Sequence, residues 1–206
     1  MEQSAESSSP NNEMGAWYKQ RFLKEEKIPT IQDMIEIAES IRYDRDRALF
    51  ILLYLTGCRI RELVRKKDKV TGRWRKSIIK NDIQLTERNG RKILLINLRN
   101  QKNRERKRKD IPIPLDIKEN ALFFNMLTDY INSLGNESEL FPMSYQNAYL
   151  VVSKLGFNPH FIRHIRLTHL VTKYGFKEHQ LRIYAGWTDS RPAKNYLEMV
   201  WEDLLY

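Results

Sequence analysis

The sequence predicts a mainly helical α+β domain that carries a small antiparallel sheet of about three strands. Apolar residues recur at helical spacing before residue 57 and again after residue 115. Between these regions, two aliphatic and β-branched stretches, 77–85 and 92–98, flank Asn89-Gly90, a dipeptide that strongly favours a hairpin turn. Helices on either side of a short run of strands are typical of the α+β class.

The chain of 206 residues suits one domain with a tail, and its 41% hydrophobic content is enough to form a core. Residues 1–27 are rich in Ser, Asn and Glu, so we expect a disordered or linker tail followed by one domain over 28–206. No apolar run approaches the roughly 18 residues of a membrane helix, and no secretory signal is present. The single cysteine, Cys58, indicates a reducing compartment, so we expect a cytoplasmic protein.

Two helices are predicted before residue 57. Thr30 is a candidate N-cap with Asp33 three residues later, and the apolar positions that follow recur at helical spacing. The stretch 44–56 has acids in its first turn and an apolar body, and Gly57 ends it. The second helix is therefore predicted to be buried.

The sheet region follows Glu62. After the two strands around Asn89-Gly90, a charged stretch, 99–110, leads into 111–114, whose two prolines suit an edge strand. The segment 64–77, which precedes the first predicted strand, is interpreted as an insertion.

Helical patterns return after Leu115. The predicted helical segments are 116–135, 144–156, 158–175, 177–186 and 191–205. The third of them begins with Asn158-Pro159, a good N-cap and first-turn pair.

Positive charge is concentrated around the sheet. The segment 59–109 holds 20 Lys and Arg residues against five Asp and Glu residues, in a chain whose net charge is +10. A clustered basic excess suits a polyanion, because each neutralised phosphate releases counterions. We therefore expect a nucleic acid as the partner. The predicted patch contains Arg73, Arg75, Arg104, Arg106, Lys107 and Arg108.

Several residues could bind or transform a phosphate group, although each alone also fits a structural role. Arg59 follows the glycine that ends a buried helix, with Glu62 three residues on. His160 and Arg163 share a helix face, so an imidazole lies beside a guanidinium. Trp187 precedes Tyr196 by nine residues.

The remaining histidines predict no metal site. His164 and His169 lie on neighbouring helix faces and are interpreted as packing or capping residues. Their spacing comes with no glutamate base and no cysteine ligands, so zinc is not expected. We expect no cofactor.

Taken in order, these residues resemble the tyrosine recombinase, or phage integrase, family. Its pattern is an arginine in T-G-x-R-x-x-E-L, a lysine in a β-hairpin, an H-x-x-R pair, a G-H/W position and a tyrosine nine residues later. The matching residues here are Arg59 in TGCRIREL, His160 and Arg163 in HFIR, Trp187 in AGW, and Tyr196. The resemblance covers about residues 29–200 and implies that family's catalytic-domain fold.

The resemblance also implies a role for each residue. Arg59 and Arg163 would bind the non-bridging oxygens of a scissile phosphodiester, and His160 would help to accept the tyrosine proton. Trp187 would buttress the site or donate one hydrogen bond, and Tyr196 would attack phosphorus to give a 3′-phosphotyrosine and a free 5′-hydroxyl.

The hairpin lysine would protonate the leaving oxygen. Lys102 is the first choice by its position after the second strand, and Lys107 and Lys109 are alternatives because the hairpin looks long. No metal is needed in this scheme.

The implied activity is site-specific DNA recombination, with integration or excision of a mobile or viral element. A type IB topoisomerase-like nicking enzyme and a DNA-binding relative without catalysis are the alternatives. The resemblance further implies double-stranded DNA as the partner, with Trp74 and its arginines as a further contact, and a tetramer on that DNA, compatible with a monomer in solution. It also implies a nucleoid-associated location in a prokaryotic or virus-infected cell. The N-terminal clamp domain of the family is not recognised, and the segment after Tyr196 could dock in cis or in trans.

Overall fold

Helices surround two small antiparallel sheets in the computed structural model, which describes residues 28–68, 70–99, 108–194 and 196–197. The helices are α1 (Ile31–Ser40), α2 (Asp44–Thr56), α3 (Ile60–Leu63), α4 (Lys118–Asn132), α5 (Tyr145–Lys154), α6 (Pro159–Thr172) and α7 (Glu178–Ala185). Residues 191–194 and 196–197 are also helical. The mainly helical α+β class is therefore confirmed, and the tail predicted for 1–27 lies outside the described residues.

Helix α2 forms the centre of the core. Its residues from Ala48 to Thr56 are all buried, and the helix packs against α1, α4 and α6. A helix without a polar face must be covered on all sides, since burying each large apolar side chain contributes about 1.5–3 kcal/mol. Gly57 ends the helix in the left-handed conformation, with φ +54°. The predicted boundaries of this helix are confirmed.

Helix α1 begins as predicted. The Thr30 side chain accepts a hydrogen bond from the Asp33 backbone N–H at 3.1 Å, and Asp33 Oδ2 accepts one from the Thr30 backbone N–H at 2.8 Å. This reciprocal capping box satisfies two donors that the first turn cannot pair internally.

A histidine couples α6 to α2 and to the start of α1. His169 is buried, and its Nε2 lies 2.9 Å from the Pro29 carbonyl oxygen, which can only accept. Nε2 therefore carries the proton, and Nδ1 accepts from the Tyr54 hydroxyl at 2.8 Å. Burial lowers the pKa of His169 to about 4, so the ring is neutral near pH 7. The predicted packing role of His169 is confirmed.

The larger sheet has the strand order β3-β4-β5, all antiparallel. Its strands are β3 (Ile83–Arg88), β4 (Arg91–Arg99) and β5 (Arg108–Pro114). Asn89 and Gly90 join β3 to β4 with φ values of 52° and 73°, the left-handed pair that a tight hairpin requires. The prolines of β5 lie on an edge strand, as predicted.

The first predicted strand begins later than its apolar pattern suggests. Lys80–Asp82 form a 3-10 turn, and Asp82 Oδ2 accepts a hydrogen bond from the Ile79 backbone N–H at 3.1 Å. The turn diverts the chain, so pairing with β4 starts only at Ile83.

The segment interpreted as an insertion forms a second, two-stranded sheet that the sequence did not predict. Strand β1 (Lys66–Lys67) pairs with β2 (Trp74–Arg75), with Lys67 opposite Trp74. Asp68 closes the turn by accepting from the backbone N–H groups of two turn residues at 3.0 Å and by pairing with Arg75. We call residues 66–75 the basic ribbon.

The ribbon is fixed at its base. Arg65 makes two hydrogen bonds to the Glu139 carboxylate, at 2.8 and 2.9 Å, and the Ser77 backbone N–H donates to the same carboxylate at 2.9 Å. These contacts tie both ends of the ribbon to the segment before α5. Across the described residues, no helix combines the length and apolarity required to cross a membrane.

Candidate active site

Arg163 is held by the carboxyl ends of two helices. It lies in α6 and is 7% exposed. One guanidinium nitrogen donates to the carbonyl of Gly57, after α2, and the other donates to the carbonyl of Ala185 at 2.9 Å, at the end of α7. Helix carboxyl ends carry partial negative charge, so they stabilise a buried cation. These contacts leave the guanidinium pre-positioned.

Arg59 lies next to this group, in the turn between α2 and α3. Its backbone N–H donates to Glu62 Oε2 at 2.9 Å, and its guanidinium lies 4.0 Å from Glu62 Oε1, as the spacing of three predicts. Burial, and then the positive charge of Arg59, lower the pKa of Arg163. Because the two positive charges repel each other, a bound anion would stabilise the pair.

Lys109 contributes a third cation. It lies in β5, and its ammonium donates to the carbonyl of Tyr184, at the end of α7, while lying 5.4 Å from the centre of the Tyr184 ring. Burial lowers its pKa to about 8, with a contribution from the charge of Arg163. The lysine packs against Gly186, whose φ is +68°. A Cβ added at this position would lie 3.7 Å from Lys109 Nζ, so the glycine allows the close approach.

The ring of Tyr196 lies between Trp187 and His164. It stacks on Trp187 with centroids 5.9 Å apart, and the guanidinium carbon of Arg163 lies 5.6 Å from the Trp187 ring centre. The Tyr196 hydroxyl oxygen lies 3.3 Å from His164 Nδ1. Burial raises the pKa of Tyr196, while the charge of Arg163 opposes the shift. The phenol therefore keeps its proton near neutral pH.

His160 lies apart from these contacts. It is in the first turn of α6, where its backbone N–H donates to Asn158 Oδ1 at 2.8 Å, and its side chain is exposed. Within the described chain, no hydrogen bond joins its ring to Tyr196. His164 occupies the place beside the hydroxyl instead. Sequence reasoning gave His164 a packing role, although its position next to Arg163 was a usable signal.

The structure thus brings together Arg59, Arg163, Trp187 and Tyr196, as well as Lys109 of the three alternative lysines. Lys102 and Lys107 lie outside the described residues. Of the predicted DNA-binding patch, Arg73 and Arg75 lie on the basic ribbon, and Arg108 begins β5. Arg104 and Arg106 lie outside the described residues. In the part of the chain that is described, no group of three or more His, Cys, Asp or Glu residues could hold a metal ion.

A comparison with solved structures gives a fold-level relationship. The chain is similar to the XerH site-specific recombinase in a crystal structure of the pre-cleavage complex with its difH substrate, with a TM-score of 0.56 and 17% sequence identity. The fold is shared with a site-specific recombinase. The match covers 83% of this chain and 51% of the XerH chain, so this chain spans about half the length of that protein. No family model and no curated protein matches the sequence.

Proposed function

We propose that the protein is a tyrosine-type site-specific DNA recombinase whose catalytic domain spans residues 28–206. The observation that carries the proposal is the position of Tyr196, stacked on Trp187 beside the cation of Arg163, which is itself close to the positive charge of Arg59. A phenol beside an anion-binding pair suits nucleophilic attack on a phosphodiester. The fold shared with a site-specific recombinase supports the same function.

In the proposed reaction, Arg59 and Arg163 bind the two non-bridging oxygens of the scissile phosphate. The Gly57 and Ala185 carbonyls fix the Arg163 guanidinium before substrate arrives, so little reorganisation accompanies the transition state. Two guanidiniums supply the positive charge that metal ions supply in many nucleases.

The phenol oxygen of Tyr196 attacks phosphorus as its O–H bond breaks. The bond from phosphorus to the 5′ oxygen breaks, which leaves a 3′-phosphotyrosine and a free 5′-hydroxyl after protonation. The reverse attack by a 5′-hydroxyl rejoins the strand. Because the covalent intermediate retains the phosphodiester energy, no nucleotide cofactor is consumed.

Lys109 is our candidate for the proton donor to the 5′ oxygen, in preference to Lys102. Its side chain is partly buried, near enough to the charge of Arg163 for that charge to lower its pKa, and its pKa of about 8 lies close to the operating pH at which a general acid is most effective. The Tyr184 carbonyl orients it.

The DNA surface in this proposal includes the basic ribbon. Trp74 is 56% exposed and is flanked by Arg73 and Arg75. The ribbon begins seven residues after Arg59, which limits the separation of their Cα atoms to about 25 Å. Integration or excision of a mobile or viral element belongs to the same proposal and rests on the sequence resemblance alone.

Covalent capture tests the function on DNA of any sequence. The protein is incubated in EDTA with a library of nicked duplexes of randomised sequence, and adducts are recovered from a denaturing gel and sequenced. We expect an adduct that is enriched for one site and abolished by Tyr196→Phe. The matched control is Tyr43→Phe, since Tyr43 is 58% exposed on the N-terminal side of α2.

Other results of the capture experiment would contradict the proposed function or its mechanism. Tight DNA binding without an adduct would indicate a relative without catalysis, and an adduct that requires Mg²⁺ would overturn the mechanism. Relaxation of supercoils without exchange between two recovered sites would indicate a nicking enzyme instead.

A further inference from the structure

His164 is the group that the fold places against the Tyr196 hydroxyl. Its Nδ1 lies 3.3 Å from the phenol oxygen, and the two ring centres are 5.2 Å apart. On its other side the imidazole stacks on Phe161, with centres 6.3 Å apart and planes inclined by 19°. The imidazole is therefore fixed by an aromatic neighbour on its own helix while its Nδ1 faces the phenol.

The protonation states of this pair fit donation from the phenol to the imidazole. Burial lowers the pKa of His164, so the ring is neutral near pH 7. Burial raises the pKa of Tyr196, so the phenol holds its proton. Of the two neutral tautomers, the one protonated at Nε2 leaves Nδ1 free to accept the phenol O–H.

The surroundings of the His164 ring explain why transfer of the Tyr196 proton would wait for DNA to bind. Tyr196 is the titratable group that contacts His164 from the C-terminal segment, and the Arg163 cation precedes it on α6. Burial disfavours an imidazolium at His164 while the phosphate site is empty. A phosphate bound by Arg163 would bring negative charge to the site and so favour the protonated imidazole.

We propose that His164, rather than His160, accepts the Tyr196 proton during strand cleavage. This inference rests on the proposed function. The phenol O–H bond breaks, its proton moves to His164 Nδ1, and the oxygen electron pair forms the bond to phosphorus. The P–O5′ bond breaks at the same centre, and the 5′ oxygen takes its proton from the general acid. The contact of 3.3 Å is longer than an ordinary hydrogen bond, as is common for catalytic contacts before substrate binds.

The kinetic test compares His164→Asn with His160→Asn on the recovered site. Asparagine keeps a polar atom near the position of Nδ1 but is not a base, so we expect cleavage by His164→Asn to fall about 100-fold or more. We expect a smaller loss in His160→Asn. The exposed His179 on α7 supplies a matched control, His179→Asn, with unchanged cleavage.

A more acidic nucleophile separates a proton acceptor from a packing residue. With 3-fluorotyrosine at position 196, the phenol loses its proton more readily and depends less on a base. We expect this replacement to recover cleavage in His164→Asn by a larger factor than it changes the unsubstituted protein. Equal factors, or a larger recovery in His160→Asn, would overturn the proposal.

An NMR measurement tests the same contact without any activity. We expect imidazole ¹⁵N shifts of His164 typical of an Nε2-protonated ring, and Tyr196→Phe should raise its pKa because a hydrogen bond to the neutral form is lost. An Nδ1-protonated ring, or an unchanged pKa, would refute the inference. If the wild-type chain forms no adduct, the proposed function fails, whereas an adduct formed at the wild-type rate by His164→Asn overturns only the inference.

Discussion

Burial disfavours the charged form of Lys109, and the Tyr184 carbonyl orients its ammonium. Removing its charge should slow cleavage strongly, because the 5′ oxygen is a poor leaving group without a proton. We expect Lys109→Ala to lose about 100-fold or more in cleavage rate on an ordinary phosphodiester. On a substrate with sulfur in place of the bridging 5′ oxygen, the thiolate leaves without a proton, so the variant should recover most of the rate.

Lys102→Ala and Lys107→Ala are the matched controls for that measurement. Both should cleave the ordinary and the sulfur-bridged substrates in the same ratio as the wild-type chain. If the sulfur substrate instead rescues Lys102→Ala, the general acid is Lys102 and Lys109 has a structural role.

Trp187 contacts Tyr196, the proposed nucleophile. Its ring stacks on Tyr196 and faces Arg163, so it separates the two groups at a fixed distance. We expect Trp187→Phe to keep most of the cleavage rate and Trp187→Ala to lose about tenfold, because a misplaced nucleophile attacks poorly. Single-turnover adduct formation measures both, and equal rates in the two variants would exclude a stacking role.

The basic ribbon is the element most readily tested by salt. If Arg73 and Arg75 contact phosphates, replacing both by alanine should flatten the plot of log affinity against log salt by about 0.9 per lost contact. Lys118 and Lys154, exposed on α4 and α5, give a control pair of the same charge. An unchanged slope in the ribbon variant would place the DNA on another surface.

The remaining part of the predicted patch is tested in the same titration. Joint replacement of its four residues should flatten the slope further, since each is expected to neutralise phosphate. These residues are Arg104, Arg106, Lys107 and Arg108.

The buried His169, which joins α6 to α2, should make the free energy of unfolding depend on pH. His169 has a pKa of about 4 when folded and an ordinary value near 6.5 when unfolded, so the unfolded chain binds a proton first as the pH falls. The free energy of unfolding should therefore decrease between about pH 6.5 and pH 4, by at most about 1.4 kcal/mol per pH unit for this group.

Urea unfolding at several pH values measures this effect. The stability difference between the wild-type chain and His169→Gln should shrink as the pH falls through that window, whereas His179→Asn should parallel the wild type. Parallel curves for His169→Gln would show that its burial does not control acid stability.

At the scale of the whole molecule, the site is built from chain segments far apart in sequence. Arg163 bonds to carbonyls 106 and 22 residues away, and Lys109 bonds to a carbonyl 75 residues away. The ends of α2 and α7 and the edge strand β5 therefore meet at one point. Loosening any of these elements should impair the site as a whole.

The domain boundary is a prediction at this scale. Because the Pro29 carbonyl and the Thr30 cap are bonded to the folded chain, a protein that begins at residue 28 should fold with a melting temperature close to that of the full chain. Removal of four further residues should lower the melting temperature by several degrees, since it deletes the cap and the His169 partner. Equal melting temperatures for the two truncated chains would contradict this boundary.

The sequence alone determined the features that depend on residues close together in the chain. The capping box at Thr30, the burial of α2, the turn at Asn89-Gly90 and the pairing of Arg59 with Glu62 all follow from spacings of a few residues, so local pattern was sufficient. The ribbon was missed because a two-residue strand leaves no periodicity to detect.

It was the tertiary structure that decided which of the candidate site residues lie in contact with one another. Arg163 and Arg166 lie three residues apart on α6, but Arg163 faces the helix ends whereas Arg166 is buried against the rings of Tyr54 and Tyr174. His164 rather than His160 faces Tyr196 for the same reason. The packing of distant helices sets which face of α6 meets the C-terminal segment, and local spacing alone is not sufficient to determine that choice.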